Sequence, residues 1–339
     1  MKGLLVTVML LAVIAVQESR GCTSAIVMPG KSANSHALLW KHRDTGARYN
    51  HIMRHEATDS TYEFIALHNG DDVVGQESWM GMNRAGLAVM NTASYNLMPD
   101  TATYKDREGF IMTSALQKCG TVDEFANLLD RLPRPLGVQA NFGVIDATGA
   151  GAYFETDDNG YTRIDIPADT CVARTNYSHT GGKNGRLGVA RECTANRFLD
   201  RAGCISPRLF LDTLSRGYFD PSTCADLTCG DKVTLLDNGN MIPRYISTSS
   251  IVIEAVPSDS DDGLRYKMHV ILGYPPVGKE YEVTFDKVPE QVLRGKDGMT
   301  QAERESLPMK KKIFTGRKHG SHRVMDLNAI RRYTQKTYQ

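Results

Sequence analysis

The sequence predicts an α+β fold built in layers, on three observations. Strand-like runs come in consecutive groups whose connections suit antiparallel pairing. Helical patterns fall in blocks between those groups instead of one after each strand, which argues against a βαβ repeat. No GxGxxG, P-loop or internal repeat occurs. At 339 residues, with 41% hydrophobic and 23% charged residues, the chain has ample material for a core. Its 40 Lys and Arg against 39 Asp and Glu give a net charge of +1, which excludes a strongly basic nucleic-acid binder.

Lys2 precedes an apolar run from Leu4 to Val16, and the polar stretch Gln17 to Gly21 follows. A membrane helix needs roughly 20 apolar residues, so this shorter run reads as a secretory signal, 1–21, with Cys22 opening the mature chain. Ser19 and Gly21 are small residues at the positions a signal peptidase inspects. A cut after Ala15 would instead leave a short propeptide ending at Gly21. The chain is therefore expected to be exported, with no stable membrane span. A lipid-anchored surface binding protein is the reading from another class, although Ser19 and Arg20 fit a lipoprotein junction poorly.

The elements follow in order. Thr23 to Val27 is a short strand, and Ala37 to Trp40 returns after turn residues. Phe64–Leu67 and Gly86–Met90 read as buried strands. Helical patterns run from Phe110 to Lys118 and beyond Thr121, where Thr121 and Glu124 suit a capping box ahead of Phe125, Leu128 and Leu129. Pro133 and Pro135 end that helix. Phe142–Ile145 and Ala152–Glu155 flank the turn signal 146–151, a hairpin. A strand ends near Thr175, and helical patterns cover Val189 to Arg201 and Pro207 to Leu214. The last strands are Ser250–Val256 and Tyr266–Leu272, split by an acidic turn at 258–263.

With Cys22 set aside, six cysteines remain: Cys119, Cys171, Cys193, Cys204, Cys224 and Cys229. In an exported protein an even set suits disulfides, with Cys224 and Cys229 the local pair; buried free thiols are the competing reading. Neither these spacings nor His51 and His55, which would share one face of a helix, complete a metal site. No metal and no cofactor are expected.

An enzyme that begins with cysteine has a chemical rationale. The thiol needs a base, and the residue's own α-amino group, with an intrinsic pKa of about 8, supplies one. That arrangement requires removal of Gly21, a residue whose lack of a Cβ suits a strained scissile bond.

Gly21-Cys22-Thr23-Ser24-Ala25-Ile26-Val27 resembles the processing junction of N-terminal nucleophile (Ntn) hydrolases. Within that superfamily it is similar to the choloylglycine hydrolase, acid ceramidase and penicillin acyltransferase group. Trp40-Lys41-His42-Arg43-Asp44 occupies the place of the family stretch ending in Asp, with Lys41 standing where the family has arginine. The resemblance implies that Asp44 receives the Cys22 amino group and that Lys41 or Arg43 faces substrate. Arg174-Thr175-Asn176-Tyr177 is similar to the segment whose Asn serves the oxyanion hole. Gly81 to Asn91 is similar to the Gly-x-Asn-x-x-Gly-Leu-x-Val segment, with Asn91 as the second donor. Ala195 to Ala202 is similar to the Ser-x-Arg-Phe-x-Arg-Ala stretch, which would set Arg197 beside the nucleophile.

The resemblance thus implies a four-layer αββα sandwich over 22–307 that cleaves a linear amide C–N bond through a Cys22 thioester. Its partner is a small-molecule amide such as a conjugated bile acid, an N-acyl amine or an acyl-transfer substrate; homo-oligomerisation stays open. An Ntn dipeptidase is the second enzymatic reading, because those mature chains also begin Cys-Thr. Residues 308–339, with nine Lys and Arg and one acid, read as a solvated basic tail.

Overall fold

The computed structural model describes residues 21–98, 101–103, 105–231, 233–257, 264–320 and 322–337. The expected leader, apart from Gly21, and the acidic turn at 258–263 lie outside them. In chain order the first strands are β1 (Thr23–Val27), β2 (Leu38–Asp44), β3 (Asn50–His55), β4 (Phe64–Asn69), β5 (Met80–Asn83) and β6 (Leu87–Ala93). Helices α1 (Glu108–Lys118) and α2 (Val122–Arg131) precede β7 (Ala140–Asp146), β8 (Gly151–Thr156), β9 (Tyr161–Asp165) and β10 (Cys171–Arg174). After α3 (Val189–Arg201) and a π-helical turn (Leu209–Leu214) come β11 (Thr234–Asp237), β12 (Ser247–Pro257), β13 (Leu264–Leu272) and β14 (Glu280–Val283). The chain continues through α4 (Gln301–Ile313), β15 (Phe314–His319), β16 (His322–Asp326) and α5 (Leu327–Thr337).

Two antiparallel sheets stack face to face. One has the order β10-β1-β2-β12-β13-β14, and the other is a meander from β3 to β9. Alternation along β1 and β2 sends Ile26, Met28 and Leu39 inward, against Ile52, Ile65, Met80 and Met82 of the meander. The intervening residues Ala25, Val27 and Trp40 face outward, where α3 and the π-helical turn cover them with Leu199, Phe210 and Leu214. The Trp40 ring stacks on Phe210 at 4.8 Å, and its Nε1 donates to Ser250 Oγ at 3.0 Å. That bond lets a large indole be buried without an orphaned N–H.

On the far face of the meander, α1 and α2 bury Met112, Leu116, Phe125 and Leu129. Phe125 meets Phe142 and Phe154 edge-on at 5.6 and 4.9 Å. Helices thus lie outside both sheets, which is the four-layer αββα arrangement. Truncating a residue such as Phe125 to Ala would cost about 3–5 kcal/mol.

Several local expectations meet corrections. Thr121 caps α2 by accepting from the Glu124 N–H at 3.1 Å, but the Glu124 carboxylate bonds the Gly120 N–H. Segment 50–55 is a strand, so His51 and His55 share a face by strand period, not helix period. Pro207 to Leu214 is helical as expected, with Leu209–Leu214 wound as a π-helix. All seven cysteines carry free thiols, so the expected Cys224–Cys229 bridge is absent. That loop is instead closed by hydrogen bonds to Asp220 and Asp226: the first accepts from Ser222 and Thr223 N–H, the second from Thr228 N–H.

The largest departure is at the C-terminus. From Pro308 to Thr337 the expected basic tail is folded into the end of α4, the β15–β16 hairpin and α5, with β16 pairing to β11. Ile313, Phe314, Met325, Leu327 and Ile330 bury against Tyr218 and Tyr274, which supplies the apolar area that holds the segment down. Helix α4 begins with a capping box between Thr300 and Glu303, whose carboxylate also accepts from the Asn50 N–H at 2.8 Å.

Candidate active site

The site is assembled on β1 and β2. These strands pair antiparallel with Thr23 opposite His42, so the register carried back toward the N-terminus sets Cys22 opposite Arg43 and Gly21 opposite Asp44. Strand alternation then divides the β2 residues between two faces. Lys41 and Arg43 point between the sheets, while His42 and Asp44 point outward. All four are buried.

On the outward face, Asp44 is held by residues from beyond β1 and β2. Arg244 donates to Asp44 Oδ2 through Nε at 3.0 Å and Nη2 at 2.5 Å. The hydroxyl of Ser247, opposite Asp44 in the β2–β12 ladder, donates to Oδ1 at 2.5 Å. Ser247 Oγ also accepts from the Arg244 N–H at 2.8 Å and lies 2.9 Å from His42 Nε2. With its own proton given to Asp44, the hydroxyl is an acceptor for His42, whose proton therefore sits on Nε2. Burial lowers the His42 pKa to about 4, against the pull of Asp44, so this ring is neutral at neutral pH.

The carbonyl of Gly21, which ends the expected leader, receives two guanidinium groups. Arg244 Nη2 donates to it at 2.5 Å and Arg191 Nη1 at 3.3 Å. Arg191 also donates to the Cys22 carbonyl at 2.7 Å, Thr23 Oγ1 at 2.9 Å and Asn176 Oδ1 at 2.7 Å. Burial, then the nearby Arg244 charge, lowers the Arg191 pKa to about 9, so it stays charged at neutral pH. Two glycines make this packing feasible. A Cβ on Gly21 would overlap Asn176 Oδ1, and one on Gly188, the left-handed N-cap of α3 at φ 87°, would overlap the Arg191 guanidinium.

On the inward face, Lys41 Nζ donates to Asn91 Oδ1 and to the Trp79 carbonyl, each at 2.7 Å. Burial lowers its pKa from 10.5 to about 7, against the pull of Cys22. Two acceptors match the two N–H bonds of a neutral amine. Lys41 occupies the Asn91 oxygen, so the donor that Asn91 has to offer is its amide nitrogen. Arg43 bonds Asn50 Oδ1 and, at 2.8 Å, Asn69 Oδ1, with its guanidinium 4.8 Å from the Trp79 ring centre. Lys41 and Arg43, expected at the substrate, are thus engaged by protein acceptors.

Of the residues expected from sequence, Cys22, Asp44, Asn91, Asn176, Lys41 and Arg43 gather at the β1–β2 end. Asn176 is fully buried, with Oδ1 on Arg191 and Nδ2 donating to the Ala93 carbonyl at 3.0 Å. Arg197 does not join them: it bonds the Ser222 carbonyl at the surface. Positions 191 and 197 lie six residues apart on α3, about 120° around the helix, so only one can face β1. Arg191 takes that place. Sequence reading missed Arg191, Arg244 and Ser247. Arg191 left one signal, a cation in the first helical turn, where the helix dipole opposes it.

Elsewhere, His51, His55 and His68 lie near one another, with 3.2 Å between the Nε2 atoms of His55 and His68. Among the described residues no group of three His, Cys, Asp or Glu is arranged to hold a metal, and no helix is long and apolar enough to cross a membrane.

The family model for acyl-coenzyme A:6-aminopenicillanic acid acyl-transferase matches residues 34–193. Among solved structures, the chain is similar to a Caenorhabditis elegans ortholog of N-acylethanolamine-hydrolyzing acid amidase, at 12% identity and TM-score 0.45, over 68% of this chain and 92% of that one. It is similar to penicillin V acylase from Agrobacterium tumefaciens at 15% identity and TM-score 0.44, over 79% and 87% of the two chains. Conjugated bile acid hydrolase from Clostridium perfringens follows at 11% identity and TM-score 0.39, over 79% and 90%. No curated protein sequence matches. The family match covers 160 of the 339 residues, from just before β2 into the start of α3, and the two antiparallel sheets lie stacked between helices.

Proposed function

We propose that this protein is an exported cysteine amidase or acyltransferase that acts on linear amides through Cys22 once residues 1–21 are removed. The observation that supports it best is the Gly21 carbonyl, which receives the Arg244 and Arg191 guanidiniums on the residue just before the thiol. Donors at that oxygen polarise the carbonyl and favour an oxyanion on it, worth about 10²–10³-fold per donor in acyl transfer.

In maturation, Cys22 Sγ adds to the Gly21 carbonyl carbon. The C–N bond then breaks as the Cys22 nitrogen takes a proton and becomes an α-amine. Water hydrolyses the thioester, releasing residues 1–21 as a carboxylic acid and returning the thiol. The new α-amine lies at the Asp44 end of the ladder, where a carboxylate orients it by a charge-assisted hydrogen bond.

On a substrate, the α-amine takes the thiol proton, sulfur bonds the acyl carbon, and the amine product leaves with that proton. Water completes hydrolysis; an acceptor amine in its place completes acyl transfer. Asn91 supplies an amide donor to the oxyanion, with Arg191 and Arg244 beside it, and Asn176 holds Arg191 in place by accepting from its Nη2. A cavity of about 670 Å³ borders Asn176 and Arg191, with Leu187 and Val189 as apolar walls and Arg186 and Arg197 at its edge, which suits an acyl group carrying an anionic or polar end.

The test is to express the wild type, Cys22→Ser and Cys22→Ala, read each N-terminus by intact mass, and assay an amide panel for free amine. Wild type should begin at a bare Cys22 and release amine, whereas Cys22→Ala should keep residues before position 22 and release none. Full amidase activity in Cys22→Ala would sink the mechanism, and lipid on Cys22 would mark an anchored binding protein instead.

A further inference from the structure

The folded C-terminal segment builds a second site. A cavity of about 570 Å³ opens between the β2–β3 connection, α4 and the β15–β16 hairpin. Six of its lining residues are basic, namely Arg48, Arg304, Lys310, Lys311, Arg317 and Arg323, and none is acidic. Its apolar surface comes from Tyr49, Tyr245 and Phe314, with Met299 and Leu307 beside them. Lys310 Nζ lies 4.6 Å and the Arg323 guanidinium 3.6 Å from the centre of the Tyr245 ring, while Arg48 lies over Tyr49 at 4.9 Å.

Helix geometry accounts for only part of this charge. Lys310 and Lys311 sit in the last turn of α4, where the helix dipole favours cations. It does not account for Arg48, Arg317 and Arg323, which reach the same space from other elements. Arg304 is balanced by Asp297 at 2.5 Å, but no described carboxylate lies within ion-pair distance of Arg48, Lys311 or Arg317. Collecting like charges costs Coulomb energy unless an anion joins them. The wall also offers Phe314, Met299 and Leu307, so a ligand with an apolar body as well as a charged head matches the lining.

We propose that this cavity binds a small amphipathic anion, a phosphate- or sulfate-type headgroup on an apolar body. The site is separate from the Cys22 chemistry and does not depend on it, although Tyr245, on its wall, directly follows Arg244. Its volume suits one drug-sized molecule.

The test is calorimetric titration of the full-length chain with octyl phosphate, inorganic phosphate and 1-octanol. Octyl phosphate should bind one per chain, with inorganic phosphate and octanol each at least tenfold weaker. Lys311→Glu/Arg317→Glu reverses two exposed charges and should weaken octyl phosphate at least tenfold at unchanged Tm. Arg48→Glu, on a different element, provides the same reading if the double variant fails to fold. Undiminished binding in the variants, or octanol or inorganic phosphate matching octyl phosphate, overturns the proposal. So does association with phosphatidylglycerol vesicles without binding of monomeric octyl phosphate, which would mark a membrane surface.

Discussion

Arg244 holds Asp44 and the Gly21 carbonyl with the same nitrogen: its Nη2 lies 2.5 Å from Asp44 Oδ2 and 2.5 Å from the Gly21 oxygen. The carboxylate expected to orient the new N-terminus is thus tied to the carbonyl whose removal would create it. Both side chains are buried.

That coupling makes Asp44→Asn costly in two ways. Losing one partner of a buried ion pair leaves the other charge uncompensated, which costs about 3–5 kcal/mol. Replacing both, as Asp44→Asn/Arg244→Met, should recover much of that stability while kcat stays depressed. Urea melts beside amide turnover measure this. Recovery of activity along with stability would reduce Asp44 to a structural role.

Gly21→Ala should block or greatly slow removal of residues 1–21, because the added Cβ overlaps Asn176 Oδ1. Intact mass after expression reads the result. Unchanged processing would mean that a protease acting on an open chain makes the cut.

Asn176→Ala should lower kcat at least tenfold with little change in KM, since it releases the Arg191 guanidinium that donates to the Gly21 carbonyl and acts mainly in the transition state. Arg191→Gln should also lower kcat strongly, whereas Arg197→Gln, bonded at the surface to Ser222, should leave kcat within about twofold of wild type, because it touches no reacting group. Steady-state kinetics on one amide substrate compares all three. A large loss in Arg197→Gln with an intact Arg191→Gln would invert the assignment.

Lys41 gives stability a pH dependence of known sign. Its pKa is 10.5 when unperturbed and falls to about 7 on burial. Between those values the unfolded chain keeps a proton that the folded chain has lost, so unfolding free energy rises with pH. Below about pH 7 both states carry the proton and this contribution is flat. The wild type minus Lys41→Met difference in urea stability should therefore climb between pH 7 and 9, at up to about 1.4 kcal/mol per pH unit. A flat or falling difference would show Lys41 charged throughout.

What the sequence determined by itself was local. The short β-type run Thr23 to Val27 marked β1, a helical pattern marked α3 at its observed bounds, and the Gly21–Cys22 junction with Asp44 marked a chemistry. Backbone periodicity states which face a side chain takes, and covalent neighbours need no fold to meet. The tertiary structure decided who shares that face. Arg244 and Ser247 reach Asp44 across about 200 residues because β12 lies beside β2, an order that no local pattern encodes. The same holds for the basic C-terminus. Its charges were legible, but its folding depended on Ile313, Phe314 and Met325 finding Tyr218 and Tyr274, an apolar surface supplied by distant segments.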